Sequence, residues 1–340
     1  MKIKLQSKKA LSAFLFAVPM MVSAQNITID ETNFPDENFR AYLLERDYGK
    51  DGVITEEEIK SVRSINVYSK QISTLKGIEY FTELTYLDCG NNLLSTLDVS
   101  KNTKLTYLDC SVNQLSSLDM SQNTKLRELA CPYNQLSSLD MSQNIELTKL
   151  YCYDNQLSSL DVSQNTELTK LSCSWNPLSS LDVSKNMKLT SLSCGWNQLS
   201  SLDVSQNPNL ADLYCCGNQI KGDAMDKLIE SLPRNETERT YELYLYNDVW
   251  WNDVEHNEGN VCTKEQVARI KEKGWIPYYY DSDIQWWLEY EGMDEADGIA
   301  QPIIESIDKN AAIYNLAGQR VTQPTRGGIY IINGKKMLMK

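Results

Sequence analysis

The side chains able to do chemistry in this 340-residue chain form four sets, and the spacing of each set limits what it can do. The only histidine is His256. A Ser-His-Asp or Cys-His arrangement therefore has one base to draw on, and a multi-histidine metal site cannot be built. Nine cysteines form the second set, and seven of them (Cys89, Cys110, Cys131, Cys152, Cys173, Cys194 and Cys215) recur every 21 residues. There is no CxxC pair, which argues against zinc and redox-motif chemistry. The third set lies in residues 47–58, DYGKDGVITEEE. Asp47, Asp51 and Glu58 occupy positions 1, 5 and 12 of a calcium loop, Val53 supplies the position-7 carbonyl, Gly52 the turn and Ile54 the apolar position 8. Position 3 is Gly49, which has no side-chain oxygen and lowers the expected affinity. The same residues admit an ion-free arrangement, in which Thr55 and Glu58 form a capping box at a helix start. The fourth set is an aspartate column, Asp98, Asp119, Asp140, Asp161, Asp182 and Asp203. Stacked carboxylates repel, so each is expected to accept hydrogen bonds from its own turn or a nearby serine, with a calcium ladder as the alternative.

The elements that position these groups come from the internal repeat. Seven leucines, Leu84, Leu105, Leu126, Leu147, Leu168, Leu189 and Leu210, each head a line of 21 residues without an insertion, as in LTYLDCSVNQLSSLDMSQNTK. One line cannot bury its own apolar face, so neighbouring lines must stack and share a core. In such a stack Leu84, Leu87 and Cys89 point inward from a short strand. Asn92, Asn113, Asn134, Asn155, Asn176, Asn197 and Asn218 form a ladder that satisfies backbone groups of the turn leaving each strand. Flat stacked strands hold the column cysteines further apart than the ~3.8 Å between Cβ atoms that a bridge prefers, so they are expected to be small buried apolar residues. Cys216 and Cys262 fall outside the column, and their pairing is left open.

The pattern LxxLxCxxNxL followed by LxxLDVSxN resembles the leucine-rich repeat, in its bacterial 21-residue IRREKO form, over roughly residues 62–220. The resemblance implies a repeat solenoid, a leucine-rich-repeat β-strand coil. An EF-hand-like helical cap is expected over residues 25–61, where Phe39, Tyr42 and Leu43 share a helix face. VRSINVYSKQISTLKGIEYF, residues 62–81, reads as a first repeat of 22 residues and resembles an internalin-like transition from cap to repeats. A C-terminal α/β cap follows over 221–288: a helix stopped by Pro233, the strand YELYLYN, a helix between Thr263 and Gly274, and the final strand WIPYYY. The paired tryptophans at 250–251 and 286–287 are assigned mainly to cap packing. Beyond an acidic linker at 289–300, a small β tail at 301–340 alternates apolar and polar residues around three turns, which reads as three short strands. YNLAGQRV, GGIYIINGK and the terminal lysine resemble the sorting domain of Bacteroidetes type IX secretion cargo.

The destination follows from the first residues. MKIKLQSKK carries four lysines, an apolar run spans residues 11–22, and Val22-Ser23-Ala24 offers small residues at a cleavage site, so residues 1–24 read as a signal peptide. No cysteine lies near the cut to take a lipid, and no later run reaches the ~18 apolar residues of a membrane span. The chain is expected to be secreted or held at a bacterial cell surface. Its 33 basic against 46 acidic side chains give a net charge of -13, which excludes nucleic acid and anionic lipid as expected partners. Carboxylates are plentiful, but no insertion interrupts the array to form a pocket, so a hydrolase is not expected.

Between lines the inward residues hardly change, whereas the outward strand positions and the position before the ladder Asn vary. Tyr133, Tyr151, Tyr153, Trp175, Trp196 and Tyr214 would together form one exposed aromatic patch on the concave face, bordered by Tyr86, Tyr107, Asp88, Asp109, Arg127, Glu128, Lys149 and Lys170. Tyrosine and tryptophan also favour strands for their own sake. The family resemblance implies adhesion, with a protein or glycan ligand on that face; the 47–58 loop makes structural calcium the one cofactor considered. The alternative is a self-assembling surface component without a dedicated ligand.

Overall fold

A computed structural model describes residues 26–247, 258–281 and 286–293, and the backbone of strands between 313 and 339. The leader at 1–24, His256, Trp250, Trp251 and most of the acidic linker lie outside the described residues. At the N-terminus, β1 (Ile27–Thr28) pairs antiparallel with β2 (Val53–Ile54). Between them runs α1 (Glu37–Leu44), which buries Phe39, Tyr42 and Leu43 on one face as the spacing predicts. Its N-cap Asp36 accepts from Asn38 N and Phe39 N through Oδ1, and from Ser73 N and Oγ, both at 2.8 Å, through Oδ2. One buried carboxylate thus ties the helix start to the first coil. Helix α2 (Glu56–Ser61) leads into the coils.

Each coil contributes a three-residue strand: β3 (Ser64–Asn66), β4 (Tyr86–Asp88), β5 (Tyr107–Asp109), β6 (Glu128–Ala130), β7 (Lys149–Tyr151), β8 (Lys170–Ser172), β9 (Ser191–Ser193) and β10 (Asp212–Tyr214). They pair in parallel with the sequence lines in register, Leu87 on Leu108 on Leu129 on Leu150. The central residue of each strand points inward, and Leu84, Leu87, Cys89, Leu94 and Val99 have no exposed surface, with equivalent burial in the following coils. Each such leucine gains ~1.5–3 kcal/mol from burial, and only stacked neighbours can supply the cover.

Two asparagine columns hold the stack. In the ladder read from the sequence, Asn113 Nδ2 donates to the carbonyls of Cys89, Cys110 and Ser111, each at 3.1 Å, and Oδ1 accepts from Leu94 N at 2.9 Å. The side chain therefore bonds both its own coil and the one before. The second column was not read from the sequence. Asn102, Asn123, Asn144, Asn165, Asn186 and Asn207 are buried, and each donates to carbonyls of earlier turns, as Asn123 Nδ2 does to Val99 O at 3.0 Å and Asn102 O at 2.9 Å.

After β10 the coil enlarges: α3 (Asp223–Ser231), β11 (Tyr241–Asn247), α4 (Lys264–Glu272), β12 (Trp275–Asp281) and β13 (Trp286–Glu289). Strands β11 and β12 continue the parallel sheet, whereas β13 turns back antiparallel on β12 to end an eleven-strand sheet among the described residues. WIPYYY is therefore not the last strand. Among the described residues the tail holds four strands where three were expected: β14 (Ile313–Asn315), β15 (Arg320–Val321), β16 (Gly328–Ile332) and β17 (Lys335–Met339). They form an antiparallel sheet ordered β15-β14-β16-β17, in which the shortest, β15, still pairs with β14.

Candidate functional site

Along the outward face of the long sheet, ring stacks sit at both ends with a polar middle. At one end Tyr86 and Tyr107 stack with centroids 4.5 Å apart and planes 5° apart, beside Asp88, whose carboxyl burial pushes up. In the middle Lys149 pairs with Glu128 at 2.9 Å. At the other end Tyr214 meets Tyr244 at 5.5 Å, Tyr244 stacks on Tyr278 at 5.2 Å, and Trp287 stands edge-on to Tyr214 and Tyr244 at 5.4 and 4.8 Å. Tyr214 lies flat because Gly195 is beneath it; a Cβ at Gly195 would sit 2.6 Å from the ring. Tyr244, Tyr278 and Trp287 are additions to the sequence-predicted set. Their signal was the continuation of strand register through YELYLYN and WIPYYY, and Trp287 reaches this face through the reversal of β13.

The single aromatic patch expected from the sequence divides into four groups. Tyr151 lies on the strand face, half-buried. Tyr153 is also half-buried and meets the exposed Tyr133 edge-on at 5.3 Å, while Tyr214 belongs to the terminal stack. Trp175 and Trp196 stack on each other at 4.6 Å and 16°. Trp196 is only 4% exposed, so its assignment as an exposed contact residue is corrected: it is sandwiched between Trp175 and Gly217, where a Cβ would come within 2.6 Å of the indole.

The physical reason is the corner conformation. Asn91, Val112, Tyr133, Asp154, Trp175 and Trp196, each preceding a ladder Asn, have φ between 51° and 57°, and Gly217 takes φ 68° at the same place. The strand has ended, and the left-handed turn lays Tyr133, Trp175 and Trp196 along the stack toward the next coil. A non-glycine residue here costs about 1–2 kcal/mol, and most for β-branched Val112. The ladder bonds hold the turn against that cost.

The remaining candidates are placed as follows. Asp47 pairs with Lys50, which lowers its carboxyl below the usual range. Asp51 Oδ1 accepts from Val53 N at 3.1 Å. Glu58 Oε2 accepts from Thr55 N and Oγ1, both at 2.8 Å, in a complete capping box. The carboxylates of the 47–58 loop thus face three different partners. Among the described residues no three His, Cys, Asp or Glu side chains gather around a common point. In the aspartate column, Asp119 accepts from Ser121 N at 2.9 Å and Asp161 from Ser163 N at 2.8 Å; these bonds lower both carboxyls. All nine cysteines are free and buried, and burial raises their thiols, Cys173 and Cys262 to about 12.

Repeated three-residue strands, inward leucines and asparagine-bonded turns define a leucine-rich-repeat coil. The comparisons agree on the fold. An internalin C2 of Listeria monocytogenes superposes with a TM-score of 0.56 at 22% identity, over 60% of this chain and 94% of that one. A second internalin of that organism, inlF, gives 0.60 at 20% identity, over 77% and 75%. In sequence, 71 residues, or 21% of the chain, are 42% identical to Internalin J of Listeria monocytogenes and span 8% of that protein's length. No family model matches the chain. Among the described residues, no helix is long and apolar enough to cross a membrane.

Proposed function

We propose that this is a non-catalytic, exported binding protein of a bacterial surface that lays a protein or glycan ligand along the outward, concave face of its long sheet, in adhesion. One observation carries the reading: successive strands hold their inward leucines constant while the outward positions vary and gather rings, with Tyr214, Tyr278 and Trp287 each in contact with Tyr244. Contiguous aromatic surface with polar edges is the usual makeup of a binding hot spot. The polar middle, with Glu128, Lys149 and Lys170, supplies charge for orientation. Similarity to internalins supports a role at the surface, and the four-stranded tail is proposed as the export-sorting segment.

The test is a pull-down of the chain from residue 25 onward against host-surface proteins and glycans, with and without calcium. Capture of a defined ligand, lost in the Tyr244→Ala, Trp287→Ala double variant with folding retained, is the expected result. Binding that survives the double variant rejects the face. Concentration-dependent oligomers in light scattering, with no soluble partner, would favour a self-assembling surface component.

A further inference from the structure

A groove of about 410 Å3 lies off the strand face, along the corners of the coils that follow β7 to β10. It is lined by Asp154, Trp175, Pro177, Trp196, Gln198 and Gln219 together with the neighbouring turn residues, and no outward strand residue contributes. The size falls in the ~300–1,000 Å3 range of small-ligand sites.

Its position follows from a break inside the array. From Asn113 onward the residue after the ladder Asn is Gln114, Gln135, Gln156, Gln198 and Gln219, but Pro177 in the coil that carries Trp175. Gln156 N and Gln198 N donate to Leu136 O and Leu178 O at 2.9 and 2.8 Å. Proline has no N–H to make the equivalent bond, and its ring is shorter than a glutamine side chain, so a recess opens beside the indoles. Those indoles are not needed by the backbone, because Gly217 takes the same left-handed turn one coil further on. Trp175 and Trp196 nevertheless occupy it at φ 57° and 55°, stacked 4.6 Å apart.

The lining selects the occupant. Among the described residues no lysine or arginine borders the groove, so an anion has no counter-charge. A wholly apolar ligand would strip water from Gln198, Gln219 and Asp154 without replacing its hydrogen bonds. No described side chain forms an ion pair with Asp154, an exposed residue at the groove mouth whose carboxyl partial burial pushes up. Flat indole surface, neutral amides and one acceptor carboxylate match a ring with an apolar C–H face and a rim of hydroxyls. We propose that this corner groove is a saccharide subsite for a short neutral oligosaccharide, separate from the strand face and independent of what that face binds.

The test titrates the full chain with neutral gluco-, manno-, galacto- and xylo-oligosaccharides, read by calorimetry and by saturation-transfer NMR. One series should bind. Trp175→Gly should weaken it by about tenfold, the factor that loss of one ring stack makes, with the unfolding midpoint held because glycine suits that φ. Asp154→Asn, at an exposed position, should weaken the same sugar about threefold or more and serves if Trp175→Gly fails to fold. Tyr244→Ala with Trp287→Ala should leave sugar binding unchanged, which separates this site from the strand face. Absence of binding across the four series at millimolar sugar, binding unaffected by either groove variant, or binding confined to cationic or sulfated ligands would overturn the proposal.

Discussion

The coil ending at Asn218 and the enlarged coil ending at Asn260 make the same ladder from different lengths of chain. In the first, Asn218 follows Cys215 three residues later; in the second, Leu245 stands where the cysteine was, and the asparagine follows fifteen residues later. The bonds are the same. Asn260 Nδ2 donates to Cys215 O at 2.9 Å and Leu245 O at 3.0 Å, and its Oδ1 accepts from Ile220 N at 2.9 Å. Asn218 does likewise with Cys194 O, Cys215 O and Leu199 N. What differs is the neighbouring backbone. In the regular coils the corner N–H bonds a carbonyl one coil on, as Trp196 N does to Cys216 O at 2.8 Å. At the enlarged coil Glu258 replaces that carbonyl, accepting from Gly217 N, Asn247 N and Asn260 N at 2.7, 3.1 and 2.8 Å. Stacking is therefore specified by amide placement, and the 21-residue period is one way to achieve it.

Substitutions can break or sharpen that equivalence. The largest effect is expected where both coils rely on burial alone. Leu150→Ala in the array and Leu243→Ala in the enlarged coil are both fully enclosed, and each should cost ~2–5 kcal/mol in urea unfolding followed by circular dichroism. A much smaller cost at Leu243 would show that the enlarged coil is a loosely held appendage. Next, Asn155→Ala and Asn260→Ala should each lose about 1–3 kcal/mol, because each strands buried carbonyls and a backbone N–H. A neutral Asn260→Ala would refute the shared ladder.

A smaller effect, confined to the enlarged coil, is pH dependence. Burial pushes the Glu258 carboxyl up to about 8 although four backbone N–H groups pull it down. The folded state then holds a proton that the unfolded chain releases near 4.5, so this contribution to stability is complete below that pH and is lost as pH rises toward 8. Glu258→Gln should flatten the dependence of the unfolding midpoint on pH between 5 and 8.5, which a thermal-melt series reads directly. The smallest effect is expected at the opposite end. With Glu58 engaged by Thr55, chelation by EDTA should leave the unfolding midpoint unchanged. A clear drop would reinstate calcium in the 47–58 loop.

The legibility of these features in the sequence follows the same division. Leu87, Cys89 and Asn92 were readable because a strict period puts each on one column, and the column dictates burial. Trp175 and Trp196 were recognised as unusual but misplaced on the strand face, because the left-handed corner carries Val112, Tyr133 and Trp175, none of them a residue that signals such a turn. Trp196 then proved to be enclosed. Asn260 was invisible because the insertion before it breaks the spacing. Glu258 was invisible for another reason: its partners are backbone N–H groups, which have no letter in a sequence. The capping box and the calcium loop use the same Glu58, so spacing alone could not separate them.

The reversal of β13 bears on how such an array can change in length over generations. A further coil of the same kind needs a free parallel edge on which to build, and that edge is already occupied by a strand running the other way. Gene duplication is therefore directed to inserting new lines upstream of the enlarged coil, which moves the terminal rings further from the N-terminal helix.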